Sequence, residues 1–446
     1  MCAITHIFVL MLENRSFDSV FGLANLSGQS PDGTPTSANG LLVKAVTNVG
    51  RGGTVYRLRE GSPYFLNFDP GHEFTDSCVQ LCGPAVASTS AVQKDTLVLG
   101  AGGYPPLAPD WSKTGFAATY EDVNGIIADA FSAFTPDQLP VLTFLASQFG
   151  VCDNWFASVP GPTWPNRFFA VAGTSSGLDH TPSSAQVLEA VALNEPIFTF
   201  ANGTVFSKLP PSDWLIVRGD VAQTRCIYGM QNQRSRFSTM ENFIAQVSDG
   251  SLLERFIFIE PEYDALNDFR NGNSMHPAGD VRRGEALVKS LYDAISASKF
   301  WPNSLFLITF DEHGGFFDHV RSPPAVPPGA QENPRLKEHN FSFDRLGVRV
   351  PALVISPHVP PGTIDHTLYD HTSLLKTVDK AFRLGGALNL TARVRAANDF
   401  TKMLALTTAR ADVPLCPSPV AIGDERPSST GAPRSKHPFL PLYARG

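Results

Sequence analysis

Five short apolar runs, rich in β-branched and aromatic residues, constrain this chain most; they lie at 4–12, 214–218, 255–260, 304–310 and 348–356. Several are apolar at nearly every position. A strand with one wet face alternates apolar and polar residues, so unbroken runs point to strands covered on both faces, as in a parallel sheet between helices. The segments between them carry the helical period. One is 140–149; in 284–298, Leu287, Leu291 and Ile295 recur four apart on one face. At 370–384 an Asp-His-Thr-Ser start sets an N-cap ahead of an apolar period. The alternation predicts an α/β fold: a three-layer sandwich with a mostly parallel central sheet and large loop insertions.

Two regions break the pattern. Residues 23–118, rich in Gly, Ser and Pro, read as an insertion after the first strand, and the Pro-rich stretch 321–343 is long enough for a flap. The expected organisation is one α/β domain over 1–415 carrying both, then a Pro/Ser-rich tail at 416–446. A formal charge of −7 without a basic block gives no electrostatic reason to bind nucleic acid or an anionic membrane. An anionic small substrate would then need a local cation, such as a metal. No apolar run approaches the ~20 residues of a membrane helix, so membrane contact is expected to be peripheral at most. The first run lacks a basic leader and a small-residue cleavage site, and reads as a strand. The compartment stays open: secreted if a leader was removed, otherwise cytoplasmic. Six cysteines are too few and scattered for a disulfide scaffold; Cys78 and Cys82, four apart, are a small bridge or two buried thiols.

Ligands of open α/β sheets bind beyond the carboxyl ends of the strands, so the residues following each run matter most. Run 4–12 is followed by Glu13-Asn14-Arg15-Ser16-Phe17-Asp18, and run 304–310 by Asp311-Glu312-His313-Gly314-Gly315-Phe316-Phe317-Asp318-His319. Glu13, Asn14, Asp311 and Glu312 together could supply hard oxygen ligands for Mg²⁺, Ca²⁺ or Mn²⁺. Asn and Asp also favour turns and helix caps, the plainer reading of ENRSFD by itself. The second string holds three carboxylates and two imidazoles in nine residues, more than a turn needs. In Pro160-Gly161-Pro162-Thr163-Trp164-Pro165-Asn166-Arg167, three prolines and a glycine stiffen the backbone around one hydroxyl at a helix start, where free N–H groups attract anions. Taken by itself, that segment reads better as a plain Thr cap with a Pro-rich entry.

The strings HIFVLMLENRSFDSVFG (6–22), PGPTWPNRFF (160–169), HPAGDVRRGEALVKSLYDAI (276–295), LITFDEHGGFFDHV (307–320), GVRVPALVISP (347–357) and DHTSLLKTV (370–378) occur in this order. Together they resemble the phosphoesterase family of bacterial and fungal phospholipases C, plant non-specific phospholipases C and a related acid phosphatase, within the alkaline-phosphatase-like superfamily. The Thr-x-Pro-Asn-Arg and Asp-Glu-His-Gly-Gly forms are nearer to the phospholipase C group. The resemblance implies a metal-dependent phosphoric ester hydrolase acting through a phosphothreonine, with phospholipase C-type cleavage of a phospholipid or phosphodiester first. A phosphomonoesterase of the acid phosphatase type, on a biosynthetic intermediate, is the alternative. It further implies Thr163 as nucleophile, and one divalent ion (Ca, Mg, Mn or Zn) held by Glu13, Asn14, Asp311, Glu312 and Thr163. His72 and His276 would face the phosphoryl oxygens, with His319 a further catalytic candidate. Arg167 is left open between a phosphate contact and a structural bond to the ENRSFD turn.

Overall fold

The computed structural model describes residues 4–41, 46–86, 97–100, 103–110, 113–123 and 126–423; the tail from 424 on lies outside them. Ten strands form one sheet: β1 His6–Leu12, β2 Ser27–Gln29, β3 Pro35–Ser37, β4 Gly150–Cys152, β5 Trp214–Arg218, β6 Phe237–Thr239, β7 Phe256–Glu260, β8 Ser304–Phe310, β9 Ala352–Ile355 and β10 Thr363–Asp365. Their order is β6-β5-β7-β1-β8-β9-β4-β10-β2-β3. All five apolar runs become strands of this sheet. The central ones are parallel: β1 pairs with β7 and β8, and β5 with β6 and β7. Every residue of β7 and β8 is buried, as continuous apolar runs require.

The strand β9 departs from the rule, running antiparallel to both β8 and β4. The connection from β8, residues 311–351, holds only a three-residue 3₁₀ turn and no crossover helix. A chain without a crossover returns in the opposite direction.

Two helix groups cover the sheet. Thr163–Ala172 packs on Thr372–Ala381, while Val281–Ser296 packs on Pro140–Gln148 and Met240–Asp249. Leu287, Leu291 and Ile295 face the core, and Asp280 caps their helix by accepting from the Arg282 N–H. That cap starts the helix at 281 rather than 284. No helix among the described residues is long and apolar enough to cross a membrane.

The stretch 23–118 does two jobs. Strands β2 and β3 extend the main sheet through β10. Further on, Phe74, Leu81, Tyr104 and Phe116 build a second apolar core with Phe341 and Phe343. Buried Asp179 accepts the backbone N–H groups of Glu338, His339 and Phe341, tying the Pro-rich stretch to that core. Cys78 and Cys82 are thiols, and burial pushes both above the usual range.

Candidate active site

Register creates the site. Leu12 pairs with Phe310 on neighbouring parallel strands, so the residues after them, Glu13-Asn14 and Asp311-Glu312, emerge side by side. The ends are laced together: Asp311 N–H donates to Leu12 O (3.1 Å), Asn14 N–H to Asp311 Oδ1 (3.1 Å) and Arg15 N–H to Glu312 O (3.0 Å). Asn14 sits in the left-handed region at φ 59°, which Asn tolerates better than most residues. Gly314, at φ 62°, lies so close that a Cβ would stand 2.2 Å from Asn14 O. This close approach is what the Gly-Gly pair permits.

Thr163 is the first residue of the helix Thr163–Ala172, and its Oγ1 donates to Asn14 Oδ1 at 3.3 Å. The loop before it is stapled by Asn166, whose Oδ1 accepts Val159 N–H and whose Nδ2 donates to the carbonyls of Val159, Gly161 and Pro162. One turn on, Arg167 donates from Nε to Asp311 Oδ2 (3.0 Å) and from Nη2 to Met11 O and Leu12 O (3.1 Å each). Arg167 therefore makes structural bonds, though to the strand ends rather than to the ENRSFD turn, and ties the Thr163–Ala172 helix to them. His371 supports the same point from below, bonding Asp311 O through Nε2 at 2.6 Å, while Asp370 caps the Thr372–Ala381 helix.

Glu13, Asn14, Asp311 and Glu312 are each at most 1% exposed. Burial, joined by the charge of Asp311, pushes the Glu13 and Glu312 carboxyls up; Arg167 opposes this at Glu13 and His72 at Glu312. Glu13 Oε2 and Glu312 Oε1 have no hydrogen-bond partner among the described residues. Buried carboxylate oxygens without donors are costly unless a cation meets them. The donor set is all oxygen, so the residues fit a hard divalent ion.

A second carboxylate–imidazole cluster, Asp18, Asp318 and His319, has ligand atoms within 4.8 Å of one another. Its oxygens are already occupied. Asp18 Oδ1 takes Arg349 Nη2, Asp18 Oδ2 takes the N–H and Nδ1 of His319, and Asp318 takes Arg349 Nε and two backbone N–H groups. Arg349 is fully buried between them, so the cluster is a compensated ion-pair network that folds the ENRSFD turn onto the FFDH loop. The hydrogen-bond partners of His319 are Asp18 and Asn39, not Thr163 or the four oxygen ligands. Among the residues named from sequence, His319 is the one the structure sets with a different group.

His72 and His276 are brought together by Asp69, which the sequence reading passed over. One Asp69 oxygen lies 3.8 Å from His72 Nδ1, the other 3.7 Å from His276 Nε2. Its signal was available in Asp-Pro-Gly-His, where a turn returns the carboxylate to the imidazole three residues on. Burial disfavours the charged form of His72, but Glu312, Asp69 and Glu73 outweigh it and raise the imidazole to about 10. His276 stacks on Phe269 with ring centroids 3.9 Å apart. His313 bonds Gln80 Oε1 at 2.7 Å, and burial lowers it to about 3, the setting of a neutral structural ring. Glu260 and Tyr263 bond each other at 2.9 Å; Glu260 also caps the 223–226 turn, and the Tyr263 ring faces Arg167. Phe316 lies under the Arg15 guanidinium (4.4 Å), and Phe317 belongs to the second apolar core.

A hydroxyl at a helix start, poised over carboxylates at the carboxyl ends of parallel strands, defines a hydrolase-type site of the α/β class. The chain belongs to the phosphoesterase family, whose pattern matches residues 4–212 and 221–385. It is 31% identical over 428 residues to the non-specific phospholipase C6 of Arabidopsis thaliana, covering 92% of this chain and 74% of that protein. To phospholipase C B of Mycobacterium tuberculosis it is 28% identical over 411 residues, covering 85% and 73%. Among solved structures it is similar to an alkaline phosphatase superfamily protein from Vibrio parahaemolyticus (TM-score 0.34, 13% identity, 61% and 64% coverage).

Proposed function

We propose that this chain is a phosphoric ester hydrolase that cleaves phosphodiesters in the manner of a phospholipase C, with Thr163 as covalent nucleophile and a divalent cation as cofactor. The observation that carries the reading is the Thr163 hydroxyl bonded to Asn14 Oδ1, together with the buried Glu13 Oε2 and Glu312 Oε1, which have no donor among the described residues. Plant and mycobacterial relatives named as phospholipases C support the substrate class.

Glu13, Asn14, Asp311 and Glu312 with Thr163 would hold the cation, which would supply positive charge to lower the hydroxyl's pKa and offset charge developing in the reaction. The chain's own residues do the rest. Asn14 fixes the Thr163 rotamer, and the free N–H groups of the helix start face the phosphoryl oxygens. Thr163 Oγ1 attacks phosphorus and the bond to the leaving alcohol breaks. His72, held protonated by its carboxylate neighbours, donates a proton to the departing oxygen. Water then attacks the phosphorylated Thr163, His72 takes its proton, and the P–Oγ1 bond breaks. The Pro70 carbonyl orients His72 through Nδ1 (2.7 Å), and the Asp69 carboxylate supplies negative charge between the two imidazoles.

The test compares p-nitrophenylphosphorylcholine with p-nitrophenyl phosphate on metal-replete enzyme, with Thr163→Ala as blank. Preference for the diester is expected. Preference for the monoester would make the enzyme a phosphatase of the acid phosphatase type.

A further inference from the structure

Gln80 is fully buried in the helix Phe74–Cys82, which also gives Phe74, Cys78 and Leu81 to the second apolar core. Glutamine is seldom wholly buried, and an amide placed there is costly unless both of its ends are bonded. Both are. Nε2 donates to Gly71 O (2.8 Å) and to Thr119 Oγ1 (3.1 Å), and Oε1 meets His313 Nε2 at 2.7 Å. A carbonyl only accepts, so Gly71 O fixes which end of the amide is nitrogen. Oε1 is then the acceptor, and His313 Nε2 donates to it.

These bonds join two loops that the reaction uses. Gly71 precedes His72, whose ring is oriented by Pro70 O through Nδ1 (2.7 Å). With Nδ1 so occupied, Nε2 is the nitrogen left for the departing oxygen. His313 follows Glu312, one of the four buried oxygen ligands. The two loops also touch directly: a Cβ on Gly315 would stand 2.6 Å from Gly71 O, and one on Gly71 would stand 2.6 Å from the Asp76 carboxyl group. The backbone before His72 is thus enclosed between the Gly-Gly turn and the Gln80 helix, and one amide bonds both loops.

We infer that Gln80 is a positioning residue for proton transfer: by holding Gly71 O and His313 together, it sets His72 Nε2 against the Glu312 loop. The inference rests on the reading of His72 as proton donor to the leaving oxygen. Its mark is leaving-group dependence. An alkoxide must be protonated as it departs, whereas p-nitrophenolate departs without a proton, so a displaced His72 slows the first far more than the second. A residue that only supports the fold or the metal ligands slows both alike.

The experiment compares kcat/KM for p-nitrophenylphosphorylcholine and benzylphosphorylcholine on the metal-replete full chain, in wild type, Gln80→Met and His72→Asn. The ratio of the two rates within one preparation does not depend on how much of it is folded. Gln80→Met keeps the size of the side chain and removes its donor and acceptor. It should lower the benzyl rate roughly tenfold or more beyond the p-nitrophenyl rate, within what misplacing a reacting group by about 1 Å removes. His72→Asn should shift the ratio further in the same direction. Gln80→Asn, one methylene shorter, cannot span Gly71 O and His313 together; it should shift the ratio likewise and decides the matter if Gln80→Met does not fold. An unchanged ratio in the Gln80 variants, while His72→Asn shifts it, overturns the inference and leaves the reading of His72 standing. An unchanged ratio in His72→Asn removes the proton donor itself, and the inference with it.

Discussion

Replacing Arg167 by Met separates two roles that a buried arginine near a nucleophile can play. In the structure its Nε–Asp311 Oδ2 bond is 3.0 Å and both side chains are buried, at 3% and 0% exposure. Removing one partner of a buried ion pair costs about 3–5 kcal/mol, because the other charge is stranded. Here the lower half of that range applies. Asp311 Oδ1 still accepts the N–H groups of Asn14 (3.1 Å) and Glu312 (2.7 Å), so only Oδ2 is abandoned. Leu12 O also keeps its bond from Asp311 N–H, leaving Met11 O to lose a donor. The expected loss is therefore about 3–4 kcal/mol, read from urea unfolding in the presence of a chelator. Divalent cation should return part of it, since Arg167→Met leaves the Glu13–Asp311–Glu312 cluster more negative. Stability within about 1 kcal/mol of wild type, with turnover abolished, would refute this reasoning and assign the guanidinium to the substrate phosphate.

Three other outcomes follow from the same geometry. Gly314→Ala should lose several kcal/mol and most activity, because the new Cβ meets Asn14 O at a positive φ; a native melting temperature would contradict the close approach. Glu312→Gln should weaken divalent-ion binding at least tenfold while the far-ultraviolet spectrum stays unchanged, and unaltered metal affinity in a titration would remove Glu312 from the ligand set. Glu285 accepts from Val141 and Leu142 N–H, yet burial lifts its carboxyl from 4.5 to about 7. The folded form holds the proton more tightly than the unfolded chain, so the contribution is full below pH 4.5 and lost as pH rises through about 7, on the order of 3 kcal/mol. Glu285→Gln should flatten the stability–pH curve across that window, and an unchanged slope would assign it to other groups.

Much of this molecule is legible in the sequence because its central strands are buried on both faces. The runs ending at Leu12 and Phe310 announce themselves by lacking alternation, and chemistry placed just beyond each is then placed at the sheet's carboxyl edge. That both runs end level with each other is a matter of register, which periodicity does not encode. Strands β2 and β3 went unseen because they are three-residue and polar at the sheet's edge, and β2 joins the sheet only through Thr363 of β10, far along the chain. Arg349 likewise meets Asp18 and Asp318 only in the fold, where His319, a catalytic candidate from the resemblance, bonds Asp18. Asp69 was within reach of a turn argument.

The central claim is that Thr163 carries the phosphoryl group. Rapid acid quench during turnover of p-nitrophenyl phosphate, followed by mass analysis of the peptide that spans Thr163, tests it directly. The account expects a phosphorylated peptide that disappears in Thr163→Ala together with turnover. Steady turnover without any phosphorylated peptide, or near wild-type activity in Thr163→Ala, would contradict it.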